Sequence, residues 1–428
     1  MKYDVIRSYW PAPIYSDGST LDLDFTTGVL DSRLTFTRAA GTATYINSSG
    51  YVTTATANTP RFDYSPTNIG EPRGLLIEGQ GVNLALNSST MSSSTYTVQE
   101  ATLGTGSAND PSNSVNAPKL TPNIGFSYSS HLIYSTVGVS NSTAYTLSVY
   151  AKANGYNRIG VNIAAGNRYT AVFDLTNGTF VQASSSGTPT GTSYAITPIG
   201  TNGWYRCSVT MTTADTTLYP HFMVVNDGTI TFNVNAQATF VGDTSKSIYV
   251  WGAQLELGSG ASSYIPTGAS QVTRNADSCL MSGTNFSSWY TQGMGTVCWS
   301  GSAFRITAGH LANINTVNND PRITAYVGAG SLTNLVTNGT TQASISFGTV
   351  TANTAFKAAW RFNTNDFAAC LNAGTVYTDT LGTVPTGVDR MQLGAAEGGY
   401  QFLDGWIKSI KYYPTAFTNA QLQTATTL

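Results

Sequence analysis

Two glutamates come first among the residues that could do chemistry. Glu78 follows Leu75-Leu76-Ile77, and Glu256 ends the run Tyr249-Val250-Trp251-Gly252-Ala253-Gln254-Leu255. Glycoside hydrolysis needs two carboxylates about 5–10 Å apart. Nothing in the sequence sets that distance, and the neighbours of both are apolar packing residues. Both are therefore expected to be buried or half-buried carboxylates that tie segments together by hydrogen bonds. His131, His221 and His310 are isolated, with no His or Cys partner at ligand spacing, and no Gly-x-Ser-x-Gly elbow is present. Gly328-Ala329-Gly330 lacks the Lys-Ser/Thr and following helix of a phosphate loop and reads as a turn. The four cysteines, Cys207, Cys279, Cys298 and Cys370, form no CxxC pair and are expected as buried thiols. Cys207 shares its alternating apolar side with Tyr205, Val209 and Met211. Asn318-Asn319-Asp320 offers oxygens suited to Ca²⁺ but lacks loop spacing, so a plain turn is expected. No catalytic residue, no metal and no cofactor is expected.

Aromatic residues offer a different chemistry, because sugar rings stack their C–H faces on exposed aromatic rings. The chain has 24 Tyr, 17 Phe and 7 Trp. Trp204, Trp251 and Trp360 fall on alternating apolar faces and are expected in cores. Trp289-Tyr290 follows the polar stretch Asn285-Phe286-Ser287-Ser288, and Tyr400 sits in Glu397-Gly398-Gly399-Tyr400-Gln401. Trp289, Tyr290 and Tyr400 are the expected carbohydrate-binding residues.

The elements that must position them are strands. Charged residues make up 10% of the 428 residues, far below the roughly 25% usual in globular domains, while 41% are hydrophobic. Solvation must then come from Thr, Ser, Asn and Gly, which suits short strands and tight turns. Tyr145, Leu147, Val149 and Ala151 alternate with Thr146, Ser148, Tyr150 and Lys152, and Tyr249, Trp251, Ala253 and Leu255 read as one face of another strand. Asn177-Gly178 between two strand-like runs predicts a hairpin. Phe356, Ala358, Trp360 and Phe362 form an apolar face, followed by a turn at Asn372-Ala373-Gly374. Thr418 is a good N-cap for a short helix over Asn419 to Thr424 that carries Leu422.

The expected fold is all-β: tandem antiparallel β-sandwiches (jelly rolls) with an N-terminal arm and a short C-terminal helix. Residues 1–20 form the arm, 21–85 a strand-rich lead-in packing on the next domain, 86–270 one sandwich and 271–428 a second. A net charge of -2 with no Lys/Arg run predicts no nucleic-acid partner. No apolar run approaches the roughly 20 residues of a bilayer span, which predicts no membrane insertion, and the N-terminus has no apolar core of a secretory signal.

Three stretches together resemble bacteriophage tail-fibre and other virion proteins. The first is Asn58-Thr59-Pro60-Arg61-Phe62 with Arg73-Gly74-Leu75-Leu76-Ile77-Glu78 and Val82-Asn83-Leu84. The second is Tyr249 to Glu256 with Ser263-Tyr264-Ile265-Pro266-Thr267 and Thr273-Arg274-Asn275-Ala276-Asp277. Between them, Phe173-Asp174-Leu175-Thr176-Asn177-Gly178 and Gly203-Trp204-Tyr205-Arg206 look like a carbohydrate-binding-module jelly roll. The third, Asp404-Gly405-Trp406 with Tyr412-Tyr413 and the closing helix, looks like a concanavalin-A-like lectin/laminin-G sandwich. The resemblance covers residues 20–428. It implies a virion protein, often oligomeric, with sugar-binding folds; the expected function is that of a structural virion protein (tail fibre, head fibre or decoration protein) that adheres to host-surface glycans and is not an enzyme. Such a protein is made in the host cytoplasm and sits on the phage particle surface as a homotrimer. Its N-terminal region, with Tyr3, Val5, Ile6, Tyr9, Trp10, Ile14 and Tyr15, would bind other virion proteins. Two alternatives stay open: a polysaccharide depolymerase or glycosidase, which release of reducing sugar would reveal, and a purely architectural part, which a blank glycan array would favour.

Overall fold

The computed structural model describes residues 15–39, 41–124 and 129–428. It is all-β apart from short helical pieces, and its strands pair antiparallel in two compact units. One unit takes Ala39–Pro72 and Gln80–Asn275; the other takes the described chain up to Arg38, then Arg73–Gly79 and Ala276–Leu428. We call them the central and the flanking unit.

The central unit is a sandwich of two sheets. One has the order Thr190–Ile199, Trp204–Thr213, Thr143–Asn154, Ser247–Leu257, Asn116–Pro122, Ala101–Asn109. The other runs Thr179–Ser186, Arg168–Asp174, Arg158–Ala164, Thr217–Val225, Leu132–Tyr134, Thr97–Gln99. The expected alternation fills the space between them: Tyr145, Leu147, Val149 and Ala151 pack with Ile159, Val161, Ile163, Val209 and Met211. The Asn177-Gly178 hairpin forms, with Arg168–Asp174 paired to Thr179–Ser186 and Gly178 at φ +66°.

The strand Ser247–Leu257 corrects one expectation. Tyr249, Trp251, Ala253 and Leu255 do not share a face. Gly252 takes φ +65°, and the register with Thr143–Asn154 shifts between Ser148 and Tyr150. This bulge turns the side chains over. Ala253 and Leu255 join the inter-sheet core, while Tyr249 and Trp251 join Tyr150, Trp204 and Tyr264 in a second apolar cluster. A Cβ on Gly252 would lie 2.8 Å from the Tyr150 ring, so glycine is required there for space as well as conformation.

The flanking unit is a second sandwich. One sheet has the order Val376–Asp379, Asp366–Leu371, Phe356–Asn363, Met294–Ala303, Gly405–Tyr413, Pro72–Ile77, with Leu21–Asp24 also paired to Gly405–Tyr413. The other runs Thr35–Thr37, Ser278–Ser282, Arg390–Leu393, Ala308–Asn315, Arg322–Gly328, Ser331–Thr337, Thr341–Thr349. Phe356, Ala358, Trp360 and Phe362 are buried, as are Ile323, Ala325, Val327, Leu332 and Val336 of the second sheet. The helix Asn419–Ala425 closes the chain with a reciprocal cap: Gln421 N donates to Thr418 Oγ1 and Thr418 N to Gln421 Oε1. Leu422 packs on Ala359, Ala368 and Cys370, so the helix covers the face of Phe356–Asn363 that carries Lys357, Ala359 and Arg361.

Residues 21–85 are therefore not a separate lead-in. Leu21–Asp24 pairs with Gly405–Tyr413, Thr35–Thr37 with Ser278–Ser282, and Leu75 to Ile77 with Gly405 to Ile407, all in the flanking unit. Ala43–Ile46 and Val52–Ala55 form a hairpin in the central unit. Of the expected arm, residues 1–14 lie outside the described residues. Residues 15–20 rest on the flanking unit, where Asp17 Oδ2 accepts from Lys411 Nζ at 2.7 Å and Thr20 Oγ1 donates to the Trp289 carbonyl at 2.8 Å. The four cysteines are free, three of them buried. No described helix is long and apolar enough to cross a membrane.

Candidate functional site

The carboxylates of Glu78 and Glu256 are interior. Glu78 is 0% and Glu256 1% exposed. Glu256 Oε1 accepts from Gln254 Nε2 at 2.6 Å and from Ser262 N at 2.9 Å, beside a Ser263 hydroxyl that takes donors from both Arg61 and Arg274 at 2.9 Å. The Glu78 backbone N donates to Asp277 Oδ2 at 2.9 Å. The two glutamates belong to different units. A group that must meet a substrate needs an open side, and neither has one.

Trp289 and Tyr290 also correct the expectation. Trp289 is 1% exposed. Its indole N–H donates to Met281 Sδ at 2.9 Å, and its ring meets Phe286 and Tyr412 edge-on at 4.9 Å. Tyr290 stacks on Phe286 at 4.8 Å. The polar neighbours mislead because Thr284–Ser287 is a short helical turn. It turns Thr284, Asn285 and Ser287 outward and Phe286 inward, and Trp289, three residues on, falls on that inward side. Phe286 and Trp289 are core, and Tyr290 is half-buried against them.

Tyr400 is different. It is 48% exposed and opens onto a cleft of about 430 Å³ that Asn318, Asn319, Asp320, Arg322, Thr337 and Thr340 also line. The cleft is built from hairpin ends. Ala308–Asn315 and Arg322–Gly328 are joined by 316–321, and Ser331–Thr337 and Thr341–Thr349 by 338–340. In an antiparallel meander alternate connections fall at the same end, so these two meet. Asp320 links them, its Oδ1 accepting from Thr337 Oγ1 at 2.7 Å and its Oδ2 from Gly339 N at 3.0 Å. Asn318-Asn319-Asp320 is a turn, with Asn319 at φ +61° and its N–H on the Thr316 carbonyl at 2.9 Å.

The Tyr400 ring is held rather than loose. Its hydroxyl accepts from Asn319 Nδ2 at 2.9 Å, and Asn319 Oδ1 accepts from Asn313 Nδ2 at 2.8 Å and Asn315 Nδ2 at 3.2 Å. Asn313 and Asn315 are both fully buried on one face of Ala308–Asn315, so a buried amide relay fixes the platform. Behind it, His310 N donates to the Gln401 carbonyl at 3.1 Å, and its ring faces Thr324 Oγ1 at 2.7 Å and Gln401 Oε1 at 3.2 Å. Sequence reading singled out Tyr400, which is exposed, and expected the Asn-Asn-Asp turn, which forms. It missed Asn313, Asn315, Arg322 and Thr337, although Asn-x-Asn at a strand end just before that turn was a usable signal.

Burial lowers the His310 pKa to about 4, with Arg322 pushing the same way and the Gln401 hydrogen bond opposing. His221 of the central unit, buried and stacked on Tyr134, is likewise lowered by burial to about 4. Since these lie below the unfolded value of about 6.5, the unfolded chain takes up protons first. The stability involved is fully present above about pH 6.5 and is lost as pH falls toward 4, on the order of 1.4 kcal/mol per pH unit for each histidine. Melting midpoints of the full chain are expected to fall steadily between pH 6.5 and 4.5, and a flat profile there would contradict both assignments.

No family model and no curated protein matches the chain. Solved structures do. The Ruminococcus gnavus IT-sialidase CBM40 bound to α2,3-sialyllactose is 17% identical and covers 32% of this chain and 83% of its own, with TM-score 0.29. Mouse laminin α1 domains LG4-5 are 11% identical over 69% of this chain and 90% of theirs, with TM-score 0.22. A mutant Trypanosoma rangeli sialidase with trans-sialidase activity is 8% identical over 76% of this chain and 61% of its own, with TM-score 0.28.

Proposed function

We propose that the chain is a glycan-binding protein whose site is the Tyr400 cleft, working by adhesion rather than catalysis. The observation that carries this is the exposed Tyr400 ring, held from behind by Asn319 and set among Asp320, Thr337 and Thr340 in an open cleft. A sugar needs a flat apolar face and several hydrogen-bonding groups around its rim, and such a cleft supplies both. A shallow site of this kind is weak singly and gains from display in several copies.

Within that reading the chain serves as a structural virion protein of a bacteriophage, a tail fibre, head fibre or decoration protein. It would be a homotrimer attached to other virion proteins through its N-terminal region. What supports this is the resemblance carried by Arg73-Gly74-Leu75-Leu76-Ile77-Glu78, Tyr249 to Glu256 and Thr273-Arg274-Asn275-Ala276-Asp277. Mass spectrometry of purified particles tests the location, and light scattering on the full chain tests the trimer.

The glycan reading is tested with Tyr400→Ala on a glycan array followed by titration. Loss of an aromatic platform costs about 2 kcal/mol, so a hit should weaken roughly thirtyfold. Melting should move little, because the ring is half exposed. Unchanged affinity in this variant would remove the cleft from consideration.

A further inference from the structure

The cleft contains a cation without a counter-ion. Arg322 lines it, half-buried, and its Nη1 donates to the Asn319 carbonyl at 3.3 Å. Its Nε is buried with no acceptor. Among the described residues no carboxylate lies within ion-pair distance of it. The neighbouring pattern in the flanking unit is otherwise: Arg33 pairs with Asp31, Arg305 with Asp404, Arg361 with Asp366, and Arg390 with Asp389 and Glu397. Removing part of a guanidinium from water without a partner is costly, and in folded proteins such charges are normally paired.

The acid nearest in sequence does not supply the partner. Asp320 spends one oxygen on Thr337 Oγ1 and the other on Gly339 N, which holds the two hairpin ends together. A carboxylate can still accept further hydrogen bonds at the remaining lone pairs. The cleft thus offers a ligand three things: the face of Tyr400, an acceptor for hydroxyls at Asp320, and an uncompensated forked cation at Arg322.

We propose that the ligand is a carboxylated sugar, with its carboxylate on the Arg322 guanidinium, its hydroxyls on Asp320 and its ring against Tyr400. The inference rests on the glycan reading of the cleft and names the class of glycan. A planar guanidinium matches a carboxylate in two-point fashion, which a sugar hydroxyl does not, and the charge-assisted pair is about twice as strong as a neutral one. Hydroxyls are needed as well as charge, since a bare anion would face Asp320 with nothing to donate to it. Uronic acids and nonulosonic acids share this chemistry, and separate probes distinguish them.

The full chain is titrated with oligogalacturonate and with sialyllactose, each against its carboxyl-reduced neutral counterpart, by calorimetry at 50 and 500 mM NaCl. At least one acidic probe is expected to bind tenfold or more tightly than its neutral form, with that preference shrinking at high salt. Arg322→Gln should abolish the preference for the acidic form, and Arg322→Lys should restore part of it. Equal binding of acidic and neutral forms, or a preference that survives in Arg322→Gln, overturns the inference and leaves the glycan reading standing. Binding of no probe by the wild-type chain overturns both. If Arg322→Gln fails to fold, the reduced probes and the salt dependence of the wild-type chain decide alone.

Discussion

Replacing Trp289 by alanine is expected to destabilise the flanking unit by about 3–5 kcal/mol, the range for truncating a fully buried large aromatic. The residue is 1% exposed and packs against Phe286, Tyr290 and Tyr412. Truncation leaves a large void, removes the indole N–H from Met281 Sδ, and loosens the turn whose carbonyl accepts from Thr20. Urea denaturation monitored by fluorescence measures the loss, and thermal melting should drop by on the order of 10 °C. Glycan affinity below the transition should be unchanged, since Trp289 lines no part of the Tyr400 cleft. The opposite pattern, intact stability with lost glycan binding, would return Trp289 to the role its polar surroundings suggested.

Those surroundings show where sequence reading works and where it stops. Period-two alternation is a local property of a strand, and it placed Tyr145 to Ala151 and Phe356 to Phe362 correctly because the apolar face of each is buried in a core, although the opposite face is covered as well. It failed at Gly252 because a single residue at positive φ reverses the pattern, and nothing local distinguishes that glycine from one in a turn. Trp289 departs from the expectation because exposed Ser and Asn residues describe only one side of the stretch, whereas a helical turn sends residues three apart inward. Tyr400 was legible from Gly398-Gly399, which mark a turn tip, and both glycines do take positive φ. Arg322 and Thr337 were not, since they meet Asp320 and Tyr400 through the register of four strands. The segment 21–38 pairs with strands more than 240 residues away in sequence, such as Thr35 with Leu280, and no local signal announces such a partner.

That long-range assembly has an identifiable fastener. Arg38 and Asp277 form an ion pair at 3.0 Å with both side chains 0% exposed, and the second Asp277 oxygen accepts the Glu78 backbone N–H at 2.9 Å. Arg38, Glu78 and Asp277 come from the three separate stretches that make up the flanking unit. One carboxylate therefore joins all three. Desolvation offsets part of the attraction within a buried ion pair, and removing one partner of such a pair is strongly destabilising. Arg38→Met is expected to lower stability by about 3–5 kcal/mol, as is Asp277→Leu. The double variant Arg38→Met/Asp277→Leu should lose less than the sum, since both changes remove the same ion pair, yet should not recover fully. The Glu78 N–H would lack its Asp277 acceptor, at a cost of about 1–3 kcal/mol for a buried donor. Urea unfolding of the four chains measures the coupling. Additive losses, or a single variant costing less than about 1 kcal/mol, would mean that strand pairing alone holds the three stretches together and that the ion pair is incidental to it.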